Sequence, residues 1–144
     1  MKGLDKYLTT NPFDEARSKP RKKPSHPESD LQKACVKWFK YQYPQRIIFA
    51  IPNGGNRSRI EAAIMQGEGV LSGVSDLFIP EPKSKIVSEF KIITHGLWIE
   101  MKYGKGKLTE SQESFGLEMR ARGYEYIVCY TLDEFMKVVN DYFN

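Results

Sequence analysis

His95–Gln112 reads HGLWIEMKYGKGKLTESQ, and the period of its apolar residues decides the fold. From Gly96 to Tyr103, Leu97, Ile99 and Met101 alternate with Trp98, Glu100 and Lys102. Alternation of this kind predicts a half-buried strand, because successive side chains point to opposite faces. Ile99 and Met101 then enter the core, while Glu100 and Lys102 project together from the other face. Gly104 and Gly106 break the strand. Thr109 and Gln112, three apart, form a capping box for a helix that runs to Arg122 and ends at Gly123. Tyr124–Tyr130 is a further apolar strand. A helix of about a dozen residues between two strands implies a crossover, so these strands are expected to be parallel.

Outward from this unit, Leu77–Ile79 is a short strand stopped by Pro80-Glu81-Pro82, and Arg46–Ile51 (RIIFAI) is another, closed by Pro52-Asn53-Gly54-Gly55. Arg59–Glu68 reads as a short helix ending at Gly67 or Gly69. Leu31, Ala34, Cys35, Trp38, Phe39 and Tyr41 fit a helical stripe that stops before Pro44, with Ser29 and Gln32 spaced as its capping box. Trp38 and Phe39 belong to its core side. A last helix follows Thr131 and Glu134, which would cap it. Lys85–Thr94 is expected as an extended arm or hairpin. There are no internal repeats. The order helix, strand, helix, strand, strand, helix, strand, helix implies an α/β fold with a central sheet between helices.

The 144 residues suffice for one domain with a modest core, and 40% hydrophobic with 28% charged residues is ordinary for a globular chain. The formal charge of +4 is unevenly placed. Residues 1–27 hold seven Lys or Arg against three acids, and the remainder holds fifteen of each. Within them SKPRKKPSHP, residues 18–27, alternates proline with positive charge and cannot build a core. The expected organisation is therefore a flexible basic tail over 1–27 and a folded domain over 28–144. Such a tail suits nucleic acid or another polyanion; a merely solvated tail is the plainer reading. No apolar run reaches the ~20 residues of a membrane span, and no apolar segment near the N-terminus marks a signal peptide. A cytoplasmic location is expected. Cys35 and Cys129 sit in apolar stretches and are expected as buried thiols. Without a Cys-x-x-Cys pair and with only His26 and His95, no zinc site of the usual kind can be assembled.

The chemistry lies on the strand face opposite the core. A carboxylate fixed on a strand suits Mg²⁺, which takes oxygen donors in near-octahedral positions. Asp76, at the mouth of the Leu77–Ile79 strand, can supply a second carboxylate. A metal so held polarises a phosphoryl oxygen and acidifies a bound water, and Lys102 can position that water or stabilise charge on the phosphorane. Glu-x-Lys alone is a weak signal, and it occurs three times: Glu81-Pro82-Lys83, Glu89-Phe90-Lys91 and Glu100-Met101-Lys102. The first has proline in a turn. The second is a real rival, flanked by Ile86, Val87, Ile92 and Ile93. The third has the cleanest alternation and is followed by a glycine break and a capped helix. Around it, Arg57, Arg59, Lys105 and Lys107 can grip phosphate, and Asn53 and Gly54 offer a turn with bare backbone for phosphate approach. Each also has a plain reading. Asp76 can cap a turn, the charged side chains can be solvated surface, and Gln112 can serve only its cap.

Four motifs in order carry a resemblance. They are Ile51-Pro52-Asn53-Gly54-Gly55 with Arg57; Gly73-Val74-Ser75-Asp76-Leu77; His95 to Lys102; and Gly106-Lys107-Leu108-Thr109 with Gln112. Together they resemble VRR-NUC nucleases of the PD-(D/E)XK superfamily over about residues 28–144. The resemblance implies a restriction-endonuclease-like core: a central mixed four-stranded sheet flanked by helices, αβββαβ with an extra helix. It implies that Asp76 and Glu100 are metal ligands, joined by the backbone carbonyl of Met101, and that Lys102 is the catalytic lysine with Gln112 beside it. Glu28 is similar to the family's acid on the first helix, with Asp30 as the alternate. Ser75 stands where the family usually has proline, which contributes no chemistry. The segment between Asp76 and Glu100 is longer than common. The expected activity is Mg²⁺-dependent endonucleolytic hydrolysis of DNA, with Mn²⁺ as substitute and no small-molecule cofactor. Stand-alone relatives of this length suggest a phage or bacterial setting, branched or four-way DNA as substrate, and a homodimer that cuts two strands symmetrically. The alternative is a nucleic-acid-binding module with a vestigial metal site, which a metal-dependence assay separates.

Overall fold

A computed structural model of the chain describes residues 26–52 and 58–144. The basic tail up to Ser25, and Asn53, Gly54 and Arg57, lie outside the described residues.

The first helix, α1 (Pro27–Gln42), starts earlier than its apolar stripe. Pro27 occupies the first helical turn, where its missing N–H costs nothing. Ser29 therefore lies inside the helix and the expected Ser29–Gln32 capping box does not form; the N-cap is His26, with no side-chain cap bond. Cys35 and Phe39, one turn apart, are buried, with Leu31, Val36 and Trp38 packed beside them. They meet the last helix, α4 (Leu132–Phe143), which buries Phe135, Val139 and Tyr142 at the same kind of spacing. The Tyr43 hydroxyl donates to Asn140 Oδ1 at 2.6 Å and ties the end of α1 to α4.

Four strands form one sheet: β1 (Phe49–Ala50), β2 (Leu77–Ile79), β5 (Leu97–Met101) and β6 (Glu125–Cys129), side by side in that order. β1/β2 and β2/β5 are antiparallel, and β5/β6 is parallel, as the intervening helix requires. The sheet is thus mixed, four-stranded and flanked by helices. One face carries Leu77, Ile79, Leu97, Ile99, Met101 and Cys129, all fully buried against α1 and α4. The other face carries Phe78, Trp98 and Tyr126 in adjacent register. It is covered by α3 (Glu110–Ala121), where Phe115 meets Trp98 edge-on at 5.1 Å between centroids. Gly116 lets α3 lie this close: a Cβ there would come within 2.7 Å of the Tyr126 ring. Both cysteines are free and buried, as expected, and burial pushes their thiols up to about 11 and about 12.

The expected strand over Arg46–Ile51 shrinks to Phe49–Ala50. It is an edge strand: Ile48 enters the core, while Ile47 and Phe49 are 60% and 46% exposed. The short helix α2 (Arg59–Gly67) is capped by a Ser58–Glu61 box with both reciprocal bonds formed. Between β2 and β5 the chain makes a separate two-stranded hairpin, β3 (Lys83–Val87) and β4 (Phe90–Thr94). That resolves the arm into a hairpin and places the rival triplets outside the main sheet. Glu81 pairs with Arg46 at 2.8 Å and Lys83 with Glu125 at 2.7 Å, while Glu89 lies in the turn between β3 and β4. None of them shares a strand of the main sheet. Among the described residues, no helix is long and apolar enough to cross a membrane.

Candidate functional site

The register of β2 on β5 places the second acid. Leu77 is opposite Ile99, so Asp76, one step earlier, falls opposite Glu100, one step later. Asp76 is held there by two bonds. Its carbonyl accepts from the Ile51 N–H at 2.9 Å, and its Oδ2 accepts from the Met101 N–H at 2.8 Å. The side chain therefore continues the ladder where β2 has no further residue.

Glu100 is only 1% exposed, and Lys102, two residues on and on the same face, is also buried. Glu100 Oε1 accepts from Lys102 Nζ at 3.0 Å and from Gln112 Nε2 at 2.5 Å. Gln112 serves the cap that its spacing predicts and also reaches Glu100. Its backbone N–H donates to Thr109 Oγ1 at 3.3 Å and its Oε1 accepts from the Thr109 N–H at 2.9 Å, which completes the capping box. With the oxygen so committed, the amide NH₂ is turned to Glu100. The cap on α3 thus orients a side chain of the site.

The electrostatics follow from this burial. Desolvation first, and the Asp76 charge second, push the Glu100 carboxyl from 4.5 to about 7, while Lys102 pulls it down. Glu28 adds the smallest upward push from α1. Glu28 is exposed, and among the described residues no three acidic, histidine or cysteine side chains converge closely enough to hold a metal together. Asp30, the alternate, is engaged with Lys33 on its own helix at 3.1 Å.

One atom tests whether this set fits a cation. Glu100 Oε2 is buried and has no hydrogen-bond partner among the described residues. An unpaired buried carboxylate oxygen is costly, and a divalent cation held between it and Asp76 is the partner that would relieve the cost. The residues present fit a hard cation with oxygen ligands: two carboxylates on neighbouring strands, with the Met101 peptide between them.

The other expected contacts are surface side chains. Arg59 is exposed in the first turn of α2, and Lys105 and Lys107 are exposed on the segment after β5. Tyr126 is a residue that reasoning from sequence does not single out. Its hydroxyl donates to the Gln112 carbonyl at 3.3 Å and supports the start of α3. Burial and the Glu100 charge push that hydroxyl up to about 12, so it stays a donor. The available signal was its place in parallel register beside Trp98.

Known proteins share this fold. The family model of the VRR-NUC domain matches residues 21–132. A solved structure described as a VRR_NUC domain protein is similar at 25% identity, covering 80% of this chain and 86% of that one, with a TM-score of 0.63. No curated protein matches. The mixed sheet, the acids at the β2–β5 junction and the extent of the match lead to one conclusion: the chain belongs to the VRR-NUC domain family, a family of nucleases.

Proposed function

We propose that this protein is a Mg²⁺-dependent deoxyribonuclease that hydrolyses phosphodiester bonds within DNA, with Asp76, Glu100 and Lys102 at its catalytic centre. The observation that carries the reading is the divided carboxylate of Glu100. Its Oε1 is saturated by Lys102 and Gln112, and its buried Oε2 is left for a cation. Asp76, Glu100 and the Met101 carbonyl would hold that cation. Bound Mg²⁺, or Mn²⁺ in its place, supplies Lewis acidity at a phosphoryl oxygen and an acidified water. Gln112 fixes the Glu100 rotamer, and the Met101 N–H fixes Asp76. Lys102 Nζ, 3.0 Å from Glu100, is placed to stabilise the charge that builds on the phosphorane. Arg59, Lys105 and Lys107, with Asn53, Gly54 and Arg57, would grip the DNA backbone. Glu28 would tune the site from α1.

A domain of this size would cut both strands of a symmetric substrate as a homodimer, and branched or four-way DNA is the substrate we favour. A phage or bacterial chain of this kind would work in the host cytoplasm. The test is incubation of the protein with linear, flapped and four-way DNA in Mg²⁺ or Mn²⁺, against an EDTA control. Cleavage should require the metal and vanish in a folded Glu100→Ala variant. Binding without metal-dependent cleavage would instead mean a binding module with a vestigial site.

A further inference from the structure

Beside the site, a pocket of about 380 Å³ opens between the segment that leads into β2 and the exposed flank of α3. We propose that this pocket receives an unstacked nucleobase of the DNA strand being cut, an inference that rests on the nuclease reading and narrows its substrate.

The pocket shares both walls with the site. One wall is Leu71 and Ser72, four residues or fewer before Ser75-Asp76; the other begins at Ser111, next to Gln112. The two walls are joined at a tight seam. Gly73 has φ +84, and a Cβ on it would lie 2.4 Å from the Ser111 carbonyl oxygen, so no other residue fits there without displacing α3. A group seated in the pocket is therefore held by the same two segments that carry Asp76 and the Gln112 amide.

The lining selects the kind of group. Leu71, Phe115 and Met119 give apolar surface, and Ser72, Ser111 and Ser114 set hydroxyls around it. Among the described residues the one cation on the rim, Arg122, is paired with Glu118, so the lining itself offers a phosphate no unpaired positive charge. Flat apolar surface with neutral donors and acceptors suits an uncharged heterocycle with polar edges, which is how bases displaced from a helix are recognised. The volume lies near the lower end for ligand pockets, as one base requires. Leu71 is 61% exposed at the rim, placed as the apolar side chain that takes a neighbour's position in the stack. Displacing a base is easiest where pairing is already broken. The pocket thus gives a physical reason for cutting branched or frayed DNA ahead of perfect duplex.

The test fills the pocket and then removes the base. Ser114→Trp places an indole in the cavity from an exposed helix position, and thermal melting checks that the variant folds. The substrates are a four-way or flapped DNA, with the cut position mapped on wild type, and versions carrying an abasic nucleotide on either side of the scissile phosphate. Ser114→Trp should cut the intact DNA at least tenfold more slowly in kcat/KM and recover most of that loss on one abasic substrate. Leu71→Ser, on an exposed loop, should show the same pattern more weakly and serves if the tryptophan variant does not fold. Wild-type rates from both folded variants on intact DNA, or a loss that no abasic substrate restores, would overturn the base pocket alone. A wild-type protein that cuts none of these DNAs with Mg²⁺ or Mn²⁺ would overturn the nuclease reading and this inference with it.

Discussion

Replacing Glu100 by Gln should make the metal-free protein more stable while abolishing cleavage. Gln keeps the shape of the side chain and an oxygen for Lys102 and Gln112, but removes a charge that the fold holds at a cost. In the folded chain the carboxyl is raised from 4.5 to about 7, chiefly by burial. A group raised in this way binds its proton more tightly when folded. Its contribution to stability is complete below the unfolded value near 4.5 and is lost as pH rises through about 7. The whole difference is worth about 3 kcal/mol as an upper bound. For a chain of this length that corresponds to a Tm change of roughly 10 °C. The assay is thermal unfolding of both proteins in EDTA at pH 5 and pH 8, then at pH 8 with Mg²⁺. At pH 8 in EDTA the Gln variant should melt several degrees above wild type, with the gap closing toward pH 5. Mg²⁺ should raise the wild-type Tm and leave the variant unmoved. A variant that melts below wild type by the same margin at both pH values would refute the reasoning, because the buried charge would then carry no strain.

Lys102→Ala should leave DNA binding nearly intact and slow single-turnover cleavage by orders of magnitude, since its work is done in the transition state; equal losses in binding and rate would make it a phosphate anchor. Thr109→Ala removes the N-cap of α3 at a cost of about 1 kcal/mol by denaturant unfolding. It should leave single-turnover cleavage little changed, because the Thr109 backbone N–H that turns the Gln112 amide to Glu100 stays in place. Deleting residues 1–25 should weaken DNA binding and flatten its salt dependence, with cleavage at saturating DNA unchanged; binding measured at several salt concentrations alongside single-turnover rates checks this.

Where a segment faces one core, its sequence announced its place. Leu97, Ile99 and Met101 have a buried face to satisfy, so their alternation fixed both the strand and the side from which Glu100 and Lys102 project. Asp76 followed from its position before β2, and the register supplied the pairing with Glu100. The helix caps of α3 and α4 were readable because Thr109 and Thr131 each stand three residues before a side chain that can answer. Where no core selects a period, the reading was loose. The apolar residues of Arg46–Ile51 are largely exposed at a sheet edge, and the 83–94 hairpin shows apolar side chains to solvent, Ile86 and Phe90 each more than three-quarters exposed. The start of α1 was misplaced because Ser29 imitates a cap, while Pro27 begins the helix one turn earlier. Spacing gave Gln112 its cap and the resemblance placed it beside Lys102, but neither could reveal that the cap turns its amide to Glu100, since that depends on which end of an amide each partner takes.

The 83–94 hairpin has a consequence for how this chain can change. Its base joins strands already clasped, because Ile79 and Leu97 are direct antiparallel partners and fix the two points between which the intervening chain must run. Closing a loop between fixed points depends only weakly on its length, with each doubling costing about 0.6 kcal/mol. The hairpin also leaves from the end of β2 and β5 opposite Asp76 and Glu100, so the carboxylates do not register what grows there. Most of the sheet can tolerate no insertion without a shift of register. Around the tip of the hairpin, residues 85–92, the chain can lengthen, shorten or exchange its sequence while the centre that holds the acids stays as it is, and that is where this fold has room to acquire something new.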